Sequence, residues 1–293
     1  MKIAVFGKAF SIEARPYIEG LYNRLIDEKI EIALYTRLND FLIEHCEWQD
    51  RHVVFSNNKE LAAFNADFLI TIGGDGTILD AATIVGNSGL PILGINTGRL
   101  GFLANVAKEE VNKAIDNLIA GQFQVDERNT IMVQTSIDDQ PIPNFALNEV
   151  SVSRKGTTSM ITVHAFINDE YLNSYWADGL IVATPTGSTG YSLSSGGPIM
   201  MPGSQNFVIT PIAPHNLNVR PFVIPNSYKI RLKIEGREND FLASLDSRIY
   251  TFANDVELFL QKSETIIRLV QTEIQDFPTT LRNKLLWGLD RRN

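Results

Sequence analysis

From residue 1 to about 125, short apolar runs alternate with stretches whose apolar positions recur at helical spacing. Lys2–Phe6 reads as a strand, Ala14–Glu28 as a helix, Glu31–Tyr35 as a strand, Asn39–Cys46 as a short helix and Val53–Ser56 as a strand. Asp67–Ile72 is apolar almost throughout, as a strand covered on both faces should be. A Gly-rich turn, a helix at Ile78–Val85 and a strand at Pro91–Ile95 follow it. In Lys108–Ala120, Val111, Ile115, Leu118 and Ile119 share one face, and Gly121 stands where a helix cap belongs. This is the βαβ rhythm of a parallel sheet covered by helices.

After Gln122 the rhythm changes to short strand-like runs: Thr130–Ser136, Phe145–Ser153, Ile161–Ile167, Gly179–Ala183, Phe207–Pro211, Tyr228–Ile234, Phe241–Leu245, Asp255–Leu260 and Ile266–Val270. Turn signals such as Asn168-Asp169, Gly236-Arg237 and Asn254-Asp255 divide them. Pro278–Asp290 carries Leu281, Leu285 and Leu289 at helical spacing and is expected to pack back on the first domain. The expected architecture is therefore α/β plus all-β. A Rossmann-like parallel domain comprises residues 1–125 and about 274–293, and a β-rich, sandwich-like domain comprises residues 126–273.

A length of 293 residues suits two domains, and 44% hydrophobic with 20% charged residues excludes a disordered chain. The net charge of −8 speaks against nucleic acid as a partner, which would need a patch of neutralising cations. One cysteine, Cys46, cannot form an internal bridge, which suits a reducing compartment. The N-terminus lacks the pattern of a signal peptide, and no run approaches the roughly 18 apolar residues of a membrane span. A cytoplasmic protein without a membrane partner is expected. His45, His52, His164 and His215 show no metal-ligand spacing, and no G-x-S-x-G nucleophile elbow occurs.

Three segments carry candidate chemistry. Gly73-Gly74-Asp75-Gly76-Thr77 lies between a buried strand and a helix start, where open α/β sheets bind ligands. Glycines let backbone N–H groups approach phosphate oxygens, and the helix N-terminus adds donors, so the turn suits a polyphosphate. It is neither a Walker loop nor a G-x-G-x-x-G fingerprint. Asp75 would repel phosphate unless it accepts a proton from an attacking hydroxyl, holds Mg²⁺ or binds a sugar; the bland alternative is an Asp-Gly helix cap without a ligand. The second segment, Asp178 to Pro198, is a strand leading into a run of hydroxyls and glycines suited to a polar ligand. The third is Asn148-Glu149, a polar pair inside an apolar run: Asn can read a purine edge or a ribose, Glu can accept from a ribose diol, and an exposed strand pair would look the same.

Taken in order, Gly73–Thr77, Leu100-Gly101-Phe102-Leu103, Asn148-Glu149, Asp178-Gly179 through Gly197-Pro198 and the Pro214–Pro221 stretch resemble the motif set of bacterial NAD kinases over the whole chain. GGDGT alone is shared with diacylglycerol and sphingosine kinases; a lipid kinase and a non-catalytic dinucleotide sensor are the alternatives. The resemblance implies transfer of the ATP γ-phosphoryl group to the adenosine 2′-hydroxyl of NAD, with Mg²⁺ accompanying ATP and no metal held directly by protein side chains. Asp75 would be the base, and Gly73, Gly74, Gly76 and Thr77 would line the phosphate path. NAD would contact Asp75, Gly76, Phe102, Asn148, Glu149, Asp178, Thr186, Thr189, Gly190, Tyr191, Ser192, Leu193 and Ser194. The pocket would be completed between subunits of a homodimer or homotetramer. Gly190 stands where the family generally has Ala, and Trp176 near where many relatives carry a basic residue, which leaves the preference between NAD and NADH open.

Overall fold

A computed structural model describes residues 1–46, 52–98, 101–137, 141, 143–156, 159–272 and 277–285. The chain forms two compact units, Met1–Glu127 with Ile267–Asn293, and Arg128–Ile266.

The first unit runs β1 (Lys2–Gly7), α1 (Arg15–Asp27), β2 (Glu31–Tyr35), α2 (Thr36–His45), β3 (Val53–Phe55), α3 (Asn58–Phe64), β4 (Phe68–Ile72), α4 (Asp75–Val85), β5 (Ile92–Asn96), β6 (Val106–Ala107) and α5 (Val111–Ile119). Helices form where apolar residues recur every three to four positions: Ile18, Leu21, Tyr22 and Leu25 of α1 and Val111, Ala114, Ile115 and Leu118 of α5 are buried. Helix α3, which the periodicity did not predict, is seven residues long, too short for a stripe. Its ends define it instead: the Asn57 side chain accepts the Glu60 N–H, and Asn65 closes it in the left-handed conformation. The strands pair in parallel in the order β5-β4-β1-β2-β3. The chain builds outward from β1 to β3 and then returns to β4 on the other side of β1, so the strand order reverses between β1 and β4. In such sheets the carboxyl ends of the strands at the reversal flank the ligand crevice.

The second unit is antiparallel. It contains β7 (Gln124–Thr135, which starts in the first unit), β8 (Phe145–Ala146), β9 (Glu149–Arg154), β10 (Ile161–Ile167), β11 (Glu170–Ala177), β12 (Gly179–Ala183), the short helix α6 (Tyr191–Ser194), β13 (Asn206–Ile212), β14 (Phe222–Pro225), β15 (Ile230–Glu235), β16 (Asp240–Leu245), β17 (Arg248–Ala253) and most of β18 (Leu258–Gln271). One sheet has the order β14-β13-β12-β9-β16-β17, and the strands of the other run β11-β10-β15-β18. Val152, Leu180, Phe207 and Phe241 of the first sheet share one core with Val163, Leu232 and Leu258 of the second, which makes a sandwich. The three strands of this unit absent from the sequence expectation, β11, β14 and β17, all lie at sheet edges. Leu258–Leu260 and Ile266–Val270, from two expected strands, belong to the single strand β18; its buried positions shift from Leu258 and Leu260 to Ser263, Ile267 and Leu269, a change of parity that hides the continuity.

The last residues of β18, Ile267–Gln271, belong to the first unit, where Leu269 pairs in parallel with Ile92 of β5. The division thus falls at residues 127/128 and 266/267 rather than 125/126 and 273/274, because no local signal marks where a continuous strand passes from one core to another. Helix α7 (Phe277–Leu285) groups with the first unit, with Leu281 buried and the Lys284 ammonium 5.9 Å from the centre of the Phe102 ring. Leu289, expected to extend this helix, and Leu100 lie outside the described residues. No helix among the described residues is long and apolar enough to cross a membrane.

Candidate active site

In the first unit β4 ends at Ile72 and α4 begins at Asp75, so the helix starts three residues earlier than its apolar pattern suggests. Gly73 is required locally: its φ is 151°, and a Cβ there would lie 2.1 Å from Thr77 Oγ1. Gly74 and Gly76 are different, since a Cβ at either would meet nothing within 4 Å. Glycine costs about 1 kcal/mol against alanine within a helix, and the protein's own packing gives no reason for Gly76. The open side of this turn leaves backbone N–H groups approachable at a helix N-terminus, the geometry that binds phosphate.

The Asp75 carboxylate turns to another segment of the first unit. Its Oδ1 accepts the N–H groups of Leu103 (3.0 Å) and Ala104 (2.9 Å), and Oδ2 accepts that of Phe102 (2.8 Å). A Cβ on Gly101 would fall 1.7 Å from Oδ1, so that glycine admits the carboxylate. Oδ2, with one donor against two on Oδ1, retains a lone pair for a further hydrogen bond. Phe102 therefore serves Asp75 through its backbone, a link its side chain could not suggest.

In the second unit the expected strand Phe145–Ser153 is broken between β8 and β9, and Asn148-Glu149 sits at the break. The cause is Asp246, in the β16–β17 turn with φ at 53°. Its carboxylate accepts the N–H groups of Leu147 (2.9 Å), Asn148 (2.8 Å) and Glu149 (3.2 Å), while its own N–H donates to the Glu149 carbonyl (3.0 Å). Two residues on, the Arg248 guanidinium donates to the Pro143 and Phe145 carbonyls. One hairpin turn thus grips residues 143–149 by both sets of backbone groups. Sequence reading missed Asp246 and Arg248 because an acidic residue after a strand-like run looks like any turn.

The grip leaves two acceptors idle. Asn148 Oδ1 and Glu149 Oε2 are buried without a hydrogen-bond partner, a condition that costs free energy until a donor arrives. Burial, with the Asp246 charge adding to it and the Tyr191 N–H opposing it, pushes the Glu149 carboxyl up to about 7. Burial also raises Asp246, against the three backbone donors and Arg248.

The hydroxyl-rich run divides into an inward and an outward set. Thr186 and Ser192, expected to face the dinucleotide, turn their side chains into the protein: Arg128 Nη1 donates to Thr186 Oγ1 (3.3 Å), and Ser192 Oγ lies 2.8 Å from Thr210 Oγ1. Ser188 is likewise spent on the Pro185 carbonyl (2.7 Å) and the Met200 N–H (2.9 Å). Tyr191 and Ser194 are exposed, and Thr189, Gly190 and Leu193 half-buried. Gly187 lets the loop close on the polar pair, since a Cβ there would lie 2.0 Å from the Asn148 carbonyl oxygen. A Cβ at Gly190 would stand 3.0 Å from Glu149 Oε2, so glycine gives that carboxylate more room than alanine would. Asp178 is paired with Arg154 (Nε to Oδ1, 2.6 Å). Trp176, half-exposed, lies against His215 with ring centres 4.4 Å apart.

Residues 17–123 match the ATP-NAD kinase N-terminal domain and residues 147–272 the ATP-NAD kinase C-terminal domain. The chain is 47% identical over 295 residues to an NAD kinase of Flavobacterium psychrophilum, covering 100% of both. Among solved structures, an NAD kinase from Archaeoglobus fulgidus in complex with ATP aligns with a TM-score of 0.71 and 28% identity over 93% of this chain and 94% of that one. Yeast NADH kinase complexed with NADH aligns with a TM-score of 0.85 over 98% of this chain and 88% of that one; at 24% identity this likeness concerns the fold. A lipid kinase would share the Gly-rich turn but not a match running in order through both units, so the chain belongs to the ATP-NAD kinase family.

Proposed function

We propose that the chain transfers the γ-phosphoryl group of ATP to the 2′-hydroxyl of the adenosine ribose of NAD, giving NADP. The observation that carries this reading within the family is the pair of buried acceptors, Asn148 Oδ1 and Glu149 Oε2, without a donor. Adenosine supplies donors in its exocyclic amino group and ribose hydroxyls, so the ligand would satisfy what the fold leaves unsatisfied. Phosphoryl transfer depends mainly on alignment and charge stabilisation, which a backbone-lined turn can provide without a Walker lysine. Gly73, Gly74, Gly76 and Thr77 would receive the phosphates, and Asp75 Oδ2 would orient the 2′-hydroxyl and take its proton. Gly190, Thr189, Tyr191, Leu193 and Ser194 would border the dinucleotide, with Asp178 completing the pocket in a homodimer or homotetramer.

Mg²⁺ would neutralise charge on the triphosphate. Among the described residues no three His, Cys, Asp or Glu side chains converge, and Mg²⁺ is commonly held by substrate phosphates, water and at most one or two carboxylates. An ion brought by ATP needs no larger protein donor set than this. A cytoplasmic location is supported by the single cysteine. The test is a coupled assay with ATP, Mg²⁺ and NAD in which an NADP-specific dehydrogenase reads the product. Absence of NADP while NAD binds would leave the sensor reading.

The raised Glu149 gives the acceptor site a pH dependence. Glu149 accepts more strongly from a ribose hydroxyl when ionised, and burial pushes its carboxyl up to about 7. NAD affinity should therefore strengthen as pH rises from 6 to 8, by at most about tenfold for each unit below 7. Glu149→Gln should remove the dependence and weaken binding throughout; a KM for NAD that stays flat with pH in the wild type would count against the role. For the ligand-free fold the sign is opposite. A carboxyl raised on folding contributes stability below its ordinary value of 4.5, and that contribution is lost as pH climbs towards 7.

A further inference from the structure

The donor's terminal phosphates carry several negative charges, and kinases place a cation beside them; in Walker loops a lysine in the turn itself reaches the β- and γ-phosphates. Residues 73–77 contain no cation. The other side of the crevice does. Strand β1 ends at Gly7, which pairs with Ile72 at the end of β4, so the turn beginning at Lys8 leaves the sheet beside the turn beginning at Gly73. These are the two strands between which the strand order reverses. The Lys8 ammonium is 2.6 Å from Asp80 Oδ2, and the side chains of the two are 49% and 29% exposed. Asp80 belongs to α4, the helix whose N-terminus is the Gly-rich turn, and stands five residues after its start, about 7.5 Å along the axis.

We infer that Lys8 is the cation of the phosphoryl-donor site, a compact charge on a flexible stem that moves from Asp80 to the terminal phosphates of a nucleoside triphosphate seated on the Gly73–Thr77 turn. The inference rests on the kinase reading and adds to it the residue that replaces the missing Walker lysine. A half-exposed ion pair of this kind contributes little stability, so its loss should leave the fold intact. Asp80 acts as a positioning residue that parks the ammonium near the turn in the absence of donor.

Lys8→Gln, which keeps length and removes charge, tests this in the full chain. KM for ATP should rise about tenfold or more, as for a lost charge-assisted contact, while KM for NAD stays within about twofold. A fluorescent ATP analogue titrated without NAD should lose affinity in parallel, and Lys8→Arg should recover most of it. Asp80→Asn keeps the lysine charge and should have a smaller effect, again on ATP alone. Equal affinity of wild type and Lys8→Gln for the analogue, with matching thermal melts, overturns the inference, as does an equal rise in both KM values. If the wild type makes no NADP, the kinase reading fails by that result, and the analogue titration still decides the role of Lys8.

Discussion

Replacing Asp75 with Asn should lower the rate of NADP formation by about 10²- to 10⁴-fold, the span typical of losing a general base, with NAD binding changed only a few-fold. Asn keeps the volume of the side chain and removes its capacity to take a proton. The structure adds a second consequence. Asp75 holds residues 102–104 through three N–H groups, and an amide can accept on one side only, so its own N–H₂ would face the Phe102 N–H. About 1–3 kcal/mol of stability should be lost with that contact, which a thermal melt measures separately from turnover. A large fall in kcat with an unchanged KM for NAD identifies the base. A fall of less than about tenfold, accompanied by the stability loss, would reduce Asp75 to holding the neighbouring loop.

Asp246→Asn should be nearly as damaging, through binding. The carboxylate is the common acceptor for the N–H groups of Leu147, Asn148 and Glu149, and those bonds fix the segment carrying the two idle acceptors that the proposed function gives to adenosine. With one acceptor where two stood, the segment loses its register, and KM for NAD should rise about tenfold or more while stability falls by about 1–3 kcal/mol. A purely structural role would end there. Removing the Asp246 charge should also lower the pH at which Glu149 titrates, because that charge adds to burial in raising it; burial is the larger cause, so the value should stay above that of an ordinary carboxylate. NAD binding in the variant should reach its plateau at lower pH than in the wild type. An unmoved pH profile together with an unchanged KM would show that Asp246 does not govern the pair.

The legible parts of this protein were those written in local periodicity and in short motifs. Strands β1 to β5 and helices α1, α2, α4 and α5 could be read because each buried strand and helix face repeats within a few residues; α3 and β6 were too short for that. The edge strands β11, β14 and β17 could not be read, since each buries only one or two of its residues and so carries little of an apolar pattern. The Gly-rich turn and the Asn148-Glu149 pair were found as motifs. The inward roles of Thr186 and Ser192 were not, because a hydroxyl looks the same in sequence whether its partner is a ligand or Thr210.

By itself the sequence determined the two-part architecture, the family resemblance and which backbone turns lack side chains. Only the tertiary structure decided which acceptors are left unsatisfied. Asp75 meets Phe102 across 27 residues and Asp246 meets Leu147 across 99, so whether each lone pair at the site is spent or spare depends on long-range pairing that no local pattern encodes. Hydrogen bonds, unlike hydrophobic burial, are directional and saturable. A site assembled from their remainder can be counted only after the chain has folded.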